Sequence, residues 1–286
     1  MITILSPAKT LDFDSPRPTV RAGAPRLLDD SADLIAHLRE YDAAALSRLM
    51  KLSDSLSRLN VDRNRTWTVA AHAAEGAGGA GSRGNEGSHR LEDAPVEAGS
   101  PTETEGPVEA GQALFAFKGE VYRGFAADDM GTEEIDFAQE HLRILSGLYG
   151  VLRPLDLILP HRLEMGTRLP TDRGATLYDY WGRRLTETVL RDAGRDAVIV
   201  NLASKEYFKA VRDLGDSARV VTPVFKEQRR DGPKVVGVHA KYQRGRMARY
   251  ITYNRIDTPE ALVEYDLDGY TYAPELSGDE EWVFLR

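Results

Sequence analysis

The chain contains no cysteine, which excludes disulfides, thiolate metal sites and a thiol nucleophile. It also has no run approaching the ~18 to 20 uninterrupted apolar residues that a membrane span requires, so no membrane partner is expected. The N-terminus, MITILSPAKT, has an apolar opening of only five residues and no basic leader, and it reads as a first strand rather than a signal peptide. The six histidines, at 37, 72, 89, 141, 161 and 239, form no close pair such as H-x₃-H. No His-based metal site and no cofactor are expected. These absences together place the chain in the cytoplasm.

What is present is enough for a sizeable core: 286 residues, of which 42% are apolar and 8% aromatic. The net charge of −8 is distributed unevenly. Residues 71–111 hold nine of the 25 glycines, no Phe, Tyr or Trp, and eight acids against two arginines. Such a segment cannot bury enough apolar surface to offset its ordering entropy, and it is expected to be a disordered acidic insertion. The remaining 245 residues carry a net charge of only −2. Within them, 226–255 holds nine bases (Lys226, Arg229, Arg230, Lys234, Lys241, Arg244, Arg246, Arg249 and Arg255) against Glu227 and Asp231. That segment is either a solvated basic face or a phosphate-facing one.

Hydrophobic periodicity predicts a first strand over ITIL (2–5), helices around 27–38 and 46–59, and a strand over ALFAF (113–117). It further predicts one helix over 131–148, another over 176–192, and a buried strand over 197–203. The runs ARVVTPVFKEQ and KVVGVHA flank Arg-Asp-Gly-Pro and predict a β-hairpin, followed by a basic helix over 241–253. The expected fold class is α/β, with α+β as the alternative: one compact domain over 1–286 with a central mixed sheet.

Several polar motifs sit at predicted strand ends. Ser6-Pro7-Ala8-Lys9-Thr10 brings a lysine and two hydroxyls able to hold an anion, without the G-x-x-x-x-G-K-[ST] pattern of a Walker loop. Phe117-Lys118-Gly119 offers a second lysine, and Arg162-Leu163-Glu164-Met165-Gly166 a base beside an acid. Asn201-Leu202-Ala203-Ser204 follows a buried strand, where open α/β sheets place ligands, although Ser204 equally suits a helix N-cap. These motifs define one candidate pocket, of Ser6, Lys9, Lys118, Arg162, Glu164, Asn201 and Ser204, for a nucleotide or other phosphorylated small molecule. No catalytic residue is indicated.

A second candidate is LSGLYGVLRP (145–154), in which two glycines follow a predicted helix and a proline starts the next turn. It is either a helix C-cap or a helix-hairpin-helix presenting bare amides of Ser146, Gly147, Leu148, Tyr149, Gly150 and Arg153 to phosphates. Basic and aromatic residues interleave again in KYQRGRMARY, which suits contact with a nucleic-acid backbone.

Read together, the SPAKTLDF start, MKLSDSLSRLN, AFKGEVYRGF, DFAQEHLRILSGLYGVLRPLD, HRLEMGTRL, VIVNLASKEYF and RGRMARY resemble the YaaA peroxide-stress family over roughly 1–70 and 112–272. The resemblance implies a cytosolic protein that protects against hydrogen peroxide and limits free-iron Fenton damage. It also implies a single α/β domain with a helix-hairpin-helix that binds double-stranded and distorted DNA, carried over onto 146–153. Electrostatics adds Lys9, Lys118, Lys241, Arg244 and Arg246 to that DNA-binding set. The acidic 71–111 segment departs from the family pattern, and 277–286 matches it loosely.

Overall fold

The computed structural model describes residues 1–15, 22–72, 110–211 and 213–286. Its organising element is strand β1 (Ile2–Leu5), four residues rich in β-branched side chains and buried throughout. The other strands of the sheet are β2 (Leu142–Ser146), β3 (Gly150–Leu152), β4 (Ala197–Asn201), β5 (Ala218–Lys226), β6 (Thr271–Tyr272) and β7 (Glu281–Leu285). Their spatial order is β6-β7-β5-β4-β1-β2-β3. The five strands β7, β5, β4, β1 and β2 run parallel, while β3 and β6 are antiparallel edges. The sheet is therefore mixed, as the α/β reading expected, and the fold is a single compact domain.

The order of the strands decides where a ligand can sit. From β1 the chain crosses to β2 on one side and later returns to β4 on the other. Register pairs Ile2 with Ile199 and Leu5 with Ile144, so the turns leaving β1 and β4 emerge side by side. A crevice outside the carboxyl ends of two strands whose connections diverge is the usual ligand site of an open α/β sheet. A two-stranded ribbon pairs Thr10 with Lys118, which fixes the SPAKT and FKG turns against each other.

Four local expectations are corrected. The helix predicted over 131–148 stops at His141, and Leu142 begins β2, whose five residues are all buried between neighbours. A run apolar on every side fits a buried strand as well as a helix, and parallel pairing with β1 decides it. The 113–117 strand is instead a helical turn (Ala113–Ala116) followed by the short strand Phe117–Lys118. The 176–192 helix is two, Leu177–Trp181 and Arg184–Ala193, interrupted where Gly182 takes a left-handed φ of +52°. The proposed hairpin at 218–240 survives only as a Glu227–Lys234 bridge, because Gly237–Tyr253 is one 17-residue helix.

The 146–153 expectation is corrected more deeply. This stretch is a β-hairpin, β2 to β3, with Ser146 pairing Gly150. Leu148 and Tyr149 are fully buried, and Ser146 is nearly so. The Tyr149 amide donates to Ser146 Oγ at 3.1 Å. Gly147 sits so close to Leu163 that a Cβ would lie 2.2 Å from its carbonyl oxygen. The Tyr149 hydroxyl accepts from Trp67 Nε1 at 2.9 Å and the Leu159 amide at 3.0 Å, leaving its proton for His72 Nε2 at 2.9 Å. Arg153 is held by Asp156, whose carboxylate is fully buried, at 2.9 Å. Only the Arg153 side chain keeps partial exposure, and both it and the Arg153 amide are committed to Asp156.

His72 also narrows the expected insertion. Residues 70–72 form a 3₁₀ turn with His72 fully buried, and Gly111–Gln112 pairs with Leu157–Ile158. The rest of the 71–111 expectation, 73–109, lies outside the described residues.

The long helix Gly237–Tyr253 crosses the short helix Glu120–Phe125 through two glycines. A Cβ on Gly245 would stand 1.8 Å from Val121 O, and one on Gly124 would stand 2.2 Å from Tyr242 O. Alanine at an internal helix position ordinarily gains about 1 kcal/mol over glycine. Overpacking of this severity costs about 3 kcal/mol, so the steric term wins. Gly245→Ala is expected to lower the thermal midpoint by several degrees in a calorimetric scan. A raised midpoint would show that the helices are not in contact there.

Candidate anion-binding cleft

The turns leaving β1 and β4 meet directly. The Ser204 amide donates to Ser6 Oγ at 2.8 Å, and Tyr122 Oη donates to the Ser6 carbonyl at 3.0 Å. Ser204 also caps the short helix Lys205–Phe208, as its position after β4 predicts. Around this junction lies a cleft of about 520 Å³. It is lined by Ser6, Pro7, Ala8, Lys9 and Thr10, by Lys118, Gly119, Glu120, Val121 and Tyr122, by Glu164, by Leu202, Ser204, Glu206 and Tyr207, and by Lys241 and Arg244. All four strand-end motifs thus contribute to one recess. The basic helix adds two cations that sequence reasoning had assigned to a separate surface.

Not every predicted residue reaches it. Asn201 is buried, and its side chain shapes the turn by accepting from the Ala203 amide at 3.0 Å and reaching Thr222 at 3.3 Å. Arg162 stands behind the wall and shares Glu164 with Lys9, the two ion pairs measuring 3.3 Å and 2.9 Å. Ser146 and Arg162 line a separate recess of about 20 Å³ beneath it. Arg246 is paired with Asp268 at 3.3 Å and is absent from the lining. Along 226–255, Arg229 pairs with Glu227, Lys234 with Asp231, and Arg255 with Glu133. Arg249 donates to the carbonyls of Phe125 and Ala126.

The electrostatics of the lining are asymmetric. Glu120 is engaged by Arg123 at 2.6 Å, and Glu206 accepts from the Gly166 amide at 2.8 Å. Lys118 lies 3.6 Å from Asp12. The Asp12 carboxyl is held at about 2, chiefly by hydrogen bonds from Ser15. Lys241 and Arg244 have no acidic partner and no hydrogen bond among the described residues. Arg244 is half-buried, and burial alone pulls its guanidinium below the usual value. An unpaired, partly desolvated guanidinium is stabilised by any anion that enters. Burial pushes the Tyr122 and Tyr207 hydroxyls up, and Tyr122 spends its proton on the Ser6 carbonyl.

Sequence reasoning missed a second feature. Helix Ala43–Met50 and helix Asp54–Thr66 are joined by Lys51-Leu52-Ser53 alone. Lys51 adopts a left-handed φ of +54°, Leu52 is buried, and Ser53 caps the second helix. This is a hairpin of two helices with one apolar residue at the centre of its turn. The Lys51 and Leu52 amides both turn back to Ser47 O. The exposed amides of Ser53, Asp54 and Ser55 have no acceptor among the described residues. They open a 13-residue helix, the arrangement that binds phosphate. Ser53, an N-cap type placed three residues before Leu56 in KLSDSL, was the available signal.

The fold and the cleft define an α/β protein with a recess, lined by several cations, at the point where the strand connections diverge. A family model described as "Peroxide stress protein YaaA" matches residues 1–276, and the chain belongs to that family. Among similar curated proteins, a UPF0246 protein of Azoarcus sp. strain BH72 is 42% identical over 100% of this chain and 99% of its own length. One from Hahella chejuensis is 43% identical over 100% and 99%, and one from Acaryochloris marina 43% over 100% of both. The 71–111 segment therefore does not set this chain apart in length from those relatives. Among the described residues no helix is long and apolar enough to cross a membrane.

Beside the cleft, buried His161 donates from Nδ1 to Leu159 O at 2.8 Å, and burial holds its pKa at about 4. A lowered histidine pKa stabilises the fold fully above the unfolded value of 6.5, and that stability is lost as pH falls from 6.5 toward 4. The loss is expected to reach about 3 kcal/mol, with one extra proton taken up on unfolding. Denaturant melts across this window check it, and His161→Gln should flatten the profile.

Proposed function

We propose that this member of the peroxide-stress family binds DNA through its phosphate backbone, and that occupancy of DNA is how it protects DNA and limits Fenton damage. The observation that carries the reading is the set of open amides at Ser53, Asp54 and Ser55, at the mouth of a three-residue hairpin. Amides at a helix N-terminus bind phosphates without regard to base sequence. Lys51 and Arg58 are exposed around them, as are Leu56 and Leu59. The same helix carries Arg63, whose guanidinium is lowered first by burial and then by the charge of Arg162, behind the cleft wall. Lys9, Lys118 and Lys241 supply further cations at the cleft.

A second reading is supported by the cleft itself. Its volume is that of a small-molecule site, and four separate motifs supply its polar groups. A phosphorylated small molecule, bound there and acted upon, fits those groups as well. Calorimetric titration with nucleoside phosphates in the absence of DNA separates this reading from the first.

For duplex binding, log K is expected to fall linearly with log salt, by about 0.9 per phosphate neutralised. Lys51→Gln should weaken binding evenly across sequences and reduce that slope by about 1. Undetectable binding at low salt would sink the DNA reading. Gly147 and Gly150 variants do not test it, because those residues lie in the core.

A further inference from the structure

If the hairpin holds duplex DNA, the cleft presents a geometric difficulty. A recess of about 520 Å³ cannot admit a double helix, yet it contains two cations that have no ion-pair partner among the described residues. Arg244 is half-buried, so a phosphate resting on the protein surface cannot neutralise it fully. Lys241 lies three residues earlier on the same helix face. Together they form an anion seat of about one phosphate's charge, with Lys241 exposed at its edge and Arg244 half-buried within it.

The remaining lining narrows the chemistry further. Glu164 and Glu206 present carboxylates from elements separate from the basic helix. Glu164 is neutralised by Lys9 and Arg162. Exposed Glu206 keeps a carboxylate oxygen beyond the one that accepts from the Gly166 amide, an acceptor that a purely anionic ligand such as pyrophosphate leaves unused. A nucleotide carries phosphate oxygens at one end and, in cytosine, adenine or guanine, N–H donors at the other, so it matches both walls. Ser6 and Ser204 supply hydroxyls between them, and Pro7 and Tyr207 supply apolar surface for a base.

We propose that one nucleotide of a bound DNA strand leaves the base stack and enters this cleft, with its phosphate on Arg244 and Lys241 and its base toward Glu206. This rests on the DNA-binding reading. Extrusion costs a few kcal/mol and least at mismatched sites, so distorted DNA should be favoured over perfect duplex. A free nucleotide shares the same recognition chemistry, and the experiment must separate the two sources.

The test uses the intact protein and a duplex with 2-aminopurine opposite a mismatch, whose fluorescence rises when the base unstacks. Binding is followed independently by anisotropy of an end label. The expected result is a several-fold rise in 2-aminopurine emission that saturates together with the anisotropy. Arg244→Gln and Lys241→Gln should abolish the rise while weakening duplex binding by no more than about tenfold, since the hairpin still holds the backbone. Lys51→Gln should weaken the binding while leaving the rise intact at saturation.

Saturated anisotropy with no change in emission, or a rise that survives both cleft variants, overturns the extruded nucleotide while leaving DNA binding in place. No anisotropy change at low salt overturns DNA binding and extrusion together. In a third arm, a deoxynucleoside 5′-monophosphate is added to the protein alone and to the DNA complex. Arg244-dependent binding of the free nucleotide that the mismatched duplex fails to displace also overturns the proposal, in favour of a free nucleotide as occupant.

Discussion

The structure depends on β1 being paired on both edges at once. Four buried residues bond in parallel to β2 on one side and to β4 on the other, and everything after Leu5 must leave through the same end of the sheet as everything after Asn201. Ser6 and Ser204 then meet within a hydrogen bond although they are 198 positions apart in sequence. No local propensity could impose that contact. It follows from strand order, because a diverging pair of connections leaves the space above the two carboxyl ends open.

The second constraint is the close crossing of Glu120–Phe125 with Gly237–Tyr253. Without side chains at Gly124 and Gly245, the helices touch backbone to backbone, and the first turns of the long helix lie beside the turn that carries Lys118. This explains why Lys241 and Arg244 face the cleft while Arg246, two residues beyond Arg244, is turned to Asp268. A bulkier contact would move the cations outward. Desolvating Arg244 without a carboxylate costs stability that a structural role would not require, since a buried charge in a finished core is ordinarily paired. The energetic cost is consistent with a group kept for an incoming anion.

Much of this was legible in the residues, and the failures have physical causes. ITIL, AVIVN and the polar turns after them were readable because short β-branched runs bounded by Ser, Pro and Asn carry both strand and turn signals. Convergence of SPAKT, FKG, RLEMG and NLAS followed from their shared position at strand ends. The 142–148 stretch was misread because LRILSGL places its apolar residues on both faces, with only Arg143 and Ser146 between them, and such a run has no period to distinguish helix from buried strand. Its two glycines suggested a hairpin open to solvent, whereas they admit a close backbone approach and a tight turn beneath Tyr149. Conversely, the break between the helices at 43–66 was hidden because Lys51, not glycine, takes the left-handed position. The leucine spacing ran through the break as though the helix were continuous.

Net charge is a poor guide to what this molecule can hold. The +7 excess over 226–255 suggested a broad basic face, but ion pairing changes that picture. Arg229, Lys234, Arg246 and Arg255 are neutralised by acids drawn from their own neighbourhood and from elsewhere in the chain, and Arg249 is spent on helix-end carbonyls. Exposed pairs of this kind contribute little to stability, but they do remove long-range field. Among the described residues Lys226, Arg230, Lys241 and Arg244 keep no ion pair, and of these Lys241 and Arg244 line the cleft, where Lys9 and Lys118 are held by Glu164 and Asp12. A chain with a net charge of −8 is therefore compatible with a polyanionic partner, provided that contact is made at a few unpaired cations and open amides rather than across a basic surface. That geometry favours a partner able to present single phosphates at defined positions. It disfavours one that relies on diffuse attraction, and in doing so it ties the candidate ligand to the shape of the recess.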